Sequence, residues 1–111
     1  MPQFSRNTIV ELIEAFGFDD SYDDIELFQI KFDMEEADRN KVGMVRYLIQ
    51  NPEKTGPFGG NVVAEMVEYL IETKCRYPRT LEDIFPRLMR SLDHDGYAIE
   101  DGKVIPKASE T

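Results

Sequence analysis

Apolar residues recur in this chain at helical spacing, but only in short runs that glycine and proline cut apart. Ile9, Leu12, Ile13 and Phe16 stand at i, i+3, i+4 and i+7, so a helix over Thr8 to Phe16 turns all four to one face. Thr8 with Glu11 reads as its capping box, Ser5 is a rival cap, and Gly17 is a left-handed terminator. The clearest run is Val63, Met66, Val67, Leu70 and Ile71, capped by Asn61, with Glu65, Glu68 and Glu72 off the stripe and an end before Tyr77-Pro78. Helices this short are marginal alone and must pack their apolar stripes together, so the chain is confined to a small bundle.

The remaining segments fit that frame. From about Asp38 to Gln50, Val42, Val45, Leu48 and Ile49 form a stripe, and Pro52 stops the helix at Asn51. Ser21 to Met34 reads two ways. Ile25, Phe28 and Phe32 suit a helix, whereas Phe28, Ile30, Phe32 and Met34 alternate like a strand. Helix is expected, because Asp20 and Ser21 supply caps and Asp23, Asp24 and Glu26 favour the positive end of its dipole, with an irregular end. Gly56 to Gly60 is a loop.

Thr80 with Asp83 opens a fifth segment whose stripe is Leu81, Ile84, Phe85, Leu88, Met89 and Leu92. Pro86 within it costs a hydrogen bond unless the regular helix begins near Asp83. Tyr97-Ala98-Ile99 and Val104-Ile105 flank Asp101-Gly102, the signature of a hairpin on a type I′ turn. The expected fold is all-α, a compact bundle of about five short helices with a small C-terminal β-hairpin. It makes a single helical interaction domain over residues 1–105, with 106–111 as a tail or the start of a linker.

Composition narrows the function. With 111 residues, of which 41% are apolar, including seven Phe and five Tyr, the chain has material for one core and is not of disordered type. No apolar run approaches the ~18 residues of a membrane span, and the N-terminus has no signal-peptide pattern. Cys75 has no partner for an internal disulfide, which points to a reducing, cytoplasmic setting. A single His and a single Cys leave no His/Cys zinc cluster, and no cofactor is expected. Twenty-two acidic against thirteen basic residues give a net charge of −9, which repels a phosphate backbone, so neither nucleic acid nor membrane is an expected partner.

The charge is uneven. Residues 19–38 hold Asp19, Asp20, Asp23, Asp24, Glu26, Asp33, Glu35, Glu36 and Asp38 against Lys31 alone. Arg39, Lys41, Arg46 and Lys54 follow against Glu53, and Arg76, Arg79, Arg87 and Arg90 gather around the fifth segment. One complete reading is a solvated acidic surface that keeps the protein soluble. The sharper expectation is a partner-binding face of Asp19, Asp20, Asp23, Asp24 and Glu26, opposed by Arg39, Lys41 and Arg46, or by Arg87 and Arg90. Unlike patches of this kind dock onto a protein partner or a homologous domain, or join copies head to tail.

Catalytic patterns are weak. A calcium loop from Asp19 fails, with Asp24 at its sixth position and Ile30 at its twelfth. The Gly56–Gly60 loop lacks the Lys-Ser/Thr of a phosphate loop. Lys74 and Arg76 could lower the Cys75 pKa, though an inert thiol is expected. A DNA-reading winged helix would place Arg87 and Arg90 ahead of a wing that carries Glu100 and Asp101 beside Lys103, a poor surface for phosphate; a protein-binding winged helix is a structural alternative. Arg87 and His94 stand in an Arg-x6-His arrangement that resembles the ribonuclease motif of HEPN domains.

Three stretches carry a second resemblance: Ile9–Phe16, Tyr22-Asp23-Asp24-Ile25-Glu26-Leu27, and Lys41-Val42-Gly43-Met44-Val45-Arg46-Tyr47-Leu48. Together they resemble the effector-associated and death-like (CARD-like) adaptor domains of bacterial antiphage systems. Leu92-Asp93-His94-Asp95-Gly96-Tyr97 with Asp101-Gly102 is similar to the end of the helical N-terminal domains of AbiJ-type abortive-infection proteins. Both imply a recruiting module that works by like-domain contacts and carries no catalytic residues. The expected function is therefore a non-enzymatic adaptor domain in antiphage defence, with an acidic nucleic-acid-mimic inhibitor or a HEPN-like ribonuclease as alternatives.

Overall fold

A computed structural model describes residues 4–18, 22–51, 62–75 and 79–107, with only the backbone of Tyr22 and Asp23. Among these, the order is α1 (Arg6–Phe16), α2 (Tyr22–Lys31), α3 (Lys41–Gln50), α4 (Val62–Lys74), α5 (Leu81–Ile84), α6 (Pro86–His94), β1 (Tyr97–Glu100) and β2 (Lys103–Pro106). The fold is all-α with a two-stranded antiparallel hairpin, as the periodicity predicts. The loop at Gly56–Gly60 and the caps expected at Asp20, Ser21 and Asn61 lie outside the described residues.

Helix α1 runs through the centre and packs on α3, α4 and α6. Its cap is Ser5, whose hydroxyl accepts from the Thr8 N–H. Thr8 is not a cap, because its fully buried hydroxyl has another use. It donates to Asp95 Oδ2 and meets Ser91 Oγ, each at 2.5 Å. One hydroxyl has one proton to give, so Ser91 donates to Thr8 in turn, and Asn7 Nδ2 donates to Ser91 at 3.0 Å. The Ser5 N–H also reaches Asp95 Oδ2 at 2.9 Å, which sets that carboxylate at the positive end of α1. Gly17 closes α1 at φ 64°, left-handed as expected.

Helix α2 is a helix and not a strand. Ile25, Phe28, Gln29 and Phe32 fall at i, i+3, i+4 and i+7 and are all buried. Phe28 packs edge-on against Phe16 and Phe18, and Phe32 against Tyr69 of α4. The irregular end also holds, since Asp33 turns the chain at φ 56° and drops Met34 into the core.

Helix α3 starts later than expected, at Lys41, because Asn40 caps it by accepting from the Gly43 N–H at 2.7 Å. Its inner face is Gly43, Met44 and Leu48, and Val42 turns outward at 59% exposure. The fifth segment divides. Thr80, where the segment was expected to open, forms a capping box with Asp83 on α5, the chain breaks at Phe85, and Pro86 opens α6 at a position where its missing N–H costs nothing. The bundle therefore has six helical pieces among the described residues where about five were expected.

The hairpin turns on Asp101 and Gly102 at φ 52° and 74°, both positive as type I′ demands. Its register pairs Glu100 with Lys103 and Tyr97 with Pro106, so β2 reaches one residue past the expected boundary. Tyr97 stacks on Phe4 at 4.3 Å and seals the base of the bundle.

Candidate functional site

The residues of the expected acidic and basic faces meet different fates. Asp19 and Asp20 lie outside the described residues, and Asp23 is placed by backbone alone. Asp24 is exposed on α2. Glu26 pairs with Arg39 at 3.3 Å, Lys41 with Glu14 of α1 at 3.3 Å, and Arg87 with Glu11 of α1 at 3.8 Å. Three of the five basic residues are thus engaged inside one copy, because the turn after α2 brings Arg39 back to Glu26 and sets Lys41 beside α1. These pairs are exposed, worth about 0–1 kcal/mol each, and readily exchanged. Arg46 and Arg90 are exposed and make no ion pair among the described residues.

Pairing removes basic charge more completely than acidic charge. Among the described residues, Glu35, Glu36 and Asp38 are exposed in the turn after α2 and take part in no ion pair. Among the described residues the free basic pole therefore shrinks to Arg46 and Arg90, while the carboxylates of Glu35, Glu36 and Asp38 stay exposed.

The same region exposes two large aliphatic side chains, Leu27 at 65% and Ile30 at 54%. They follow from the register of α2. The inward stripe of Ile25, Phe28, Gln29 and Phe32 leaves positions 27 and 30 on the opposite side, one turn apart. Gln29 helps to lock that register. Its buried amide donates to Asp38 O at 2.9 Å and Ala37 O at 3.3 Å, so the helix cannot rotate to hide Leu27 without breaking them. By helical spacing, Asp24 lies one turn before Leu27 and Glu26 one turn before Ile30. Lys31, the one cation there, leans over the Tyr69 ring at 4.7 Å. Leu27 also forms the lip of a hollow of about 500 Å³ that Phe16, Phe18 and Tyr69 line.

Leu27 and Ile30 were missed as site residues, although the signal is in the sequence. Once Ile25, Phe28 and Phe32 are chosen as the buried stripe, a helical wheel leaves them outside.

The candidates for chemistry are dispersed. Arg87 and His94 are both exposed on α6, two turns apart, with Arg87 turned to Glu11. Among the described residues no three His, Cys, Asp or Glu groups gather as metal ligands, and the calcium-loop positions Asp19 and Ser21 lie outside them. No helix of the described residues is long and apolar enough to cross a membrane.

Cys75, at the end of α4, is pushed above the ordinary thiol range by burial and then by the nearby Asp83 carboxylate, the opposite of what Lys74 and Arg76 would do. Its folded pKa exceeds its unfolded one, so the folded state holds this proton more tightly. The stability it lends is full below the ordinary thiol pKa of about 8.5 and is lost as pH rises through the folded value. Wild type should therefore lose urea resistance above that pH faster than Cys75→Ala, and its thiol should alkylate more slowly than glutathione at neutral pH. Identical pH slopes for the two proteins would contradict this.

Comparison with protein-family models, curated proteins and solved structures returns no match to this chain.

Proposed function

We propose that this domain is a non-enzymatic protein–protein interaction module, an adaptor, that docks through the outer face of α2. The observation that carries the reading is the exposure of Leu27 and Ile30 within the most acidic stretch of the chain. Burying an aliphatic side chain of this size is worth about 1.5–3 kcal/mol, which folding leaves unused here and a partner can recover. The carboxylates around the pair add selectivity and faster encounter with a basic surface. The matching partner is a protein, a homologous domain or a second copy included, that offers an apolar hollow rimmed by lysine or arginine. Asp24 and Glu26, expected as part of a purely charged docking face, here become the charged rim of an apolar centre.

The setting in bacterial antiphage defence rests on the resemblance of residues 8–50 and of the C-terminal segment to helical domains of those systems. The cytoplasmic setting rests on the lone Cys75.

Co-purification from the cell that encodes the chain tests the reading. Tagged wild type should retain a partner at low salt and release it as salt rises. Leu27→Asp with Ile30→Asp should lower recovery of that partner at least about a hundred-fold, equivalent to about 2.7 kcal/mol. Its melting temperature should stay near wild type, because both side chains are already in water. Unchanged recovery by the double variant would overturn the assignment.

A further inference from the structure

We infer that the outer edge of β1 is a binding site for an extended, acidic peptide segment, which adds as a third strand in the groove between the hairpin and the α5–α6 corner. This surface is separate from the α2 face and does not depend on it.

The two edges of the hairpin differ. In a two-residue type I′ hairpin the residues that flank the turn exchange hydrogen bonds, so bonded and outward-facing positions alternate from there. Glu100 and Lys103 flank the turn, which leaves Ile99 of β1 and Val104 of β2 with their backbone groups facing outward. On β2 the Val104 N–H donates to Glu68 of α4 at 3.0 Å, and Pro106, the next outward position, has no N–H. That edge is closed. On β1 no described group of the chain meets the Ile99 N–H or C=O.

A groove of about 1010 Å³ lies along this open edge. Tyr97, Ala98 and Ile99 all line it. Successive side chains of a strand point to opposite faces, so a groove bordered by three residues in a row fits one that looks onto the strand's edge. Thr80, Leu81, Pro86 and Met89 form the facing wall. A space walled in this way takes one free strand, whereas the β1 of a second copy arrives joined to its own β2 and α4.

Charge selects the occupant. Arg79 and Arg90 border the groove, are exposed, and make no ion pair among the described residues. Asp93 of the same groove is held by Lys107, and Glu82 and Asp101 leave both guanidiniums unbonded. Guanidinium groups bind carboxylates through paired N–H donors, so an extended segment with an acidic residue satisfies them while its backbone pairs with Ile99.

Selection from a random peptide library of about six residues, the usual length of a strand, tests this on the whole chain. Peptides enriched on wild type should combine β-branched residues with aspartate or glutamate. The best of them should lose at least about ten-fold in affinity for Arg79→Glu/Arg90→Glu, and as much when its alternate backbone nitrogens are methylated. The Ile99 amide should gain protection from hydrogen exchange when the peptide binds. Enrichment of basic or proline-rich peptides, no enrichment at all, or an unprotected Ile99 amide would overturn the proposal. Protection of Ile99 by dimerisation of the peptide-free chain would overturn it in favour of self-pairing. Leu27→Asp/Ile30→Asp should bind the peptide as wild type does, so loss of one surface is read apart from loss of the other.

Discussion

Gly43→Ala is expected to destabilise the domain by about 2–3 kcal/mol, the usual cost of an overpacked core, although alanine is the better helix former by about 1 kcal/mol. Gly43 is buried in the first turn of α3, and a Cβ there would lie 2.9 Å from the Asp38 carbonyl oxygen and 3.1 Å from its Cα. Asp38 cannot retreat easily, because its carbonyl accepts from the Gln29 amide at 2.9 Å and from the Asn40 N–H at 2.8 Å. The clash therefore outweighs the propensity gain. Thermal unfolding should show a fall of about 10 °C or more. A variant as stable as wild type would mean that the connector gives way freely, and the locked register of α2 would fall with it.

Asp95→Ala should cost about 3 kcal/mol. The Asp95 carboxylate joins the last turn of α6 to the first turn of α1, and accepts from the Ser5 N–H and the buried Thr8 hydroxyl. Hydrogen bonds to a charged group are worth about 1.5–3 kcal/mol, and without this acceptor the buried Thr8 hydroxyl has only the neutral hydroxyls of Ser91 and Ser5 left to meet. Thr8→Val should be costly alone but add little on top of Asp95→Ala, because both remove the same bond. Urea denaturation of the four proteins measures this, and strict additivity would contradict a shared network.

That network shows where sequence reading stops. Thr8 is far in the chain from Ser91 and Asp95, and each of the three has an ordinary local reading as a cap or a solvated side chain. Nothing local reveals that α1 and α6 bring them together. Features set within one turn or one stripe were legible: the left-handed Gly17, the Thr80 capping box, the Asp101-Gly102 turn and the inward faces of α1 and α4. The face of α3 was not, because its interior is chosen by how closely Gly43 lets the backbone approach Asp38, and that turns Val42 to solvent. At the candidate site the acidic run was plain. The loss of Arg39, Lys41 and Arg87 to internal pairs was not, since it depends on tertiary contacts with Glu26, Glu14 and Glu11.

We propose that a protein partner covers the outer face of α2 in the cell. Site-specific photocrosslinking from a benzophenone side chain at position 27, compared with one at the exposed position 65 on α4, tests it most directly. Position 27 should give a discrete protein adduct that Ile30→Asp abolishes, and position 65 none. Equal adducts from both positions, or none from position 27, would contradict it.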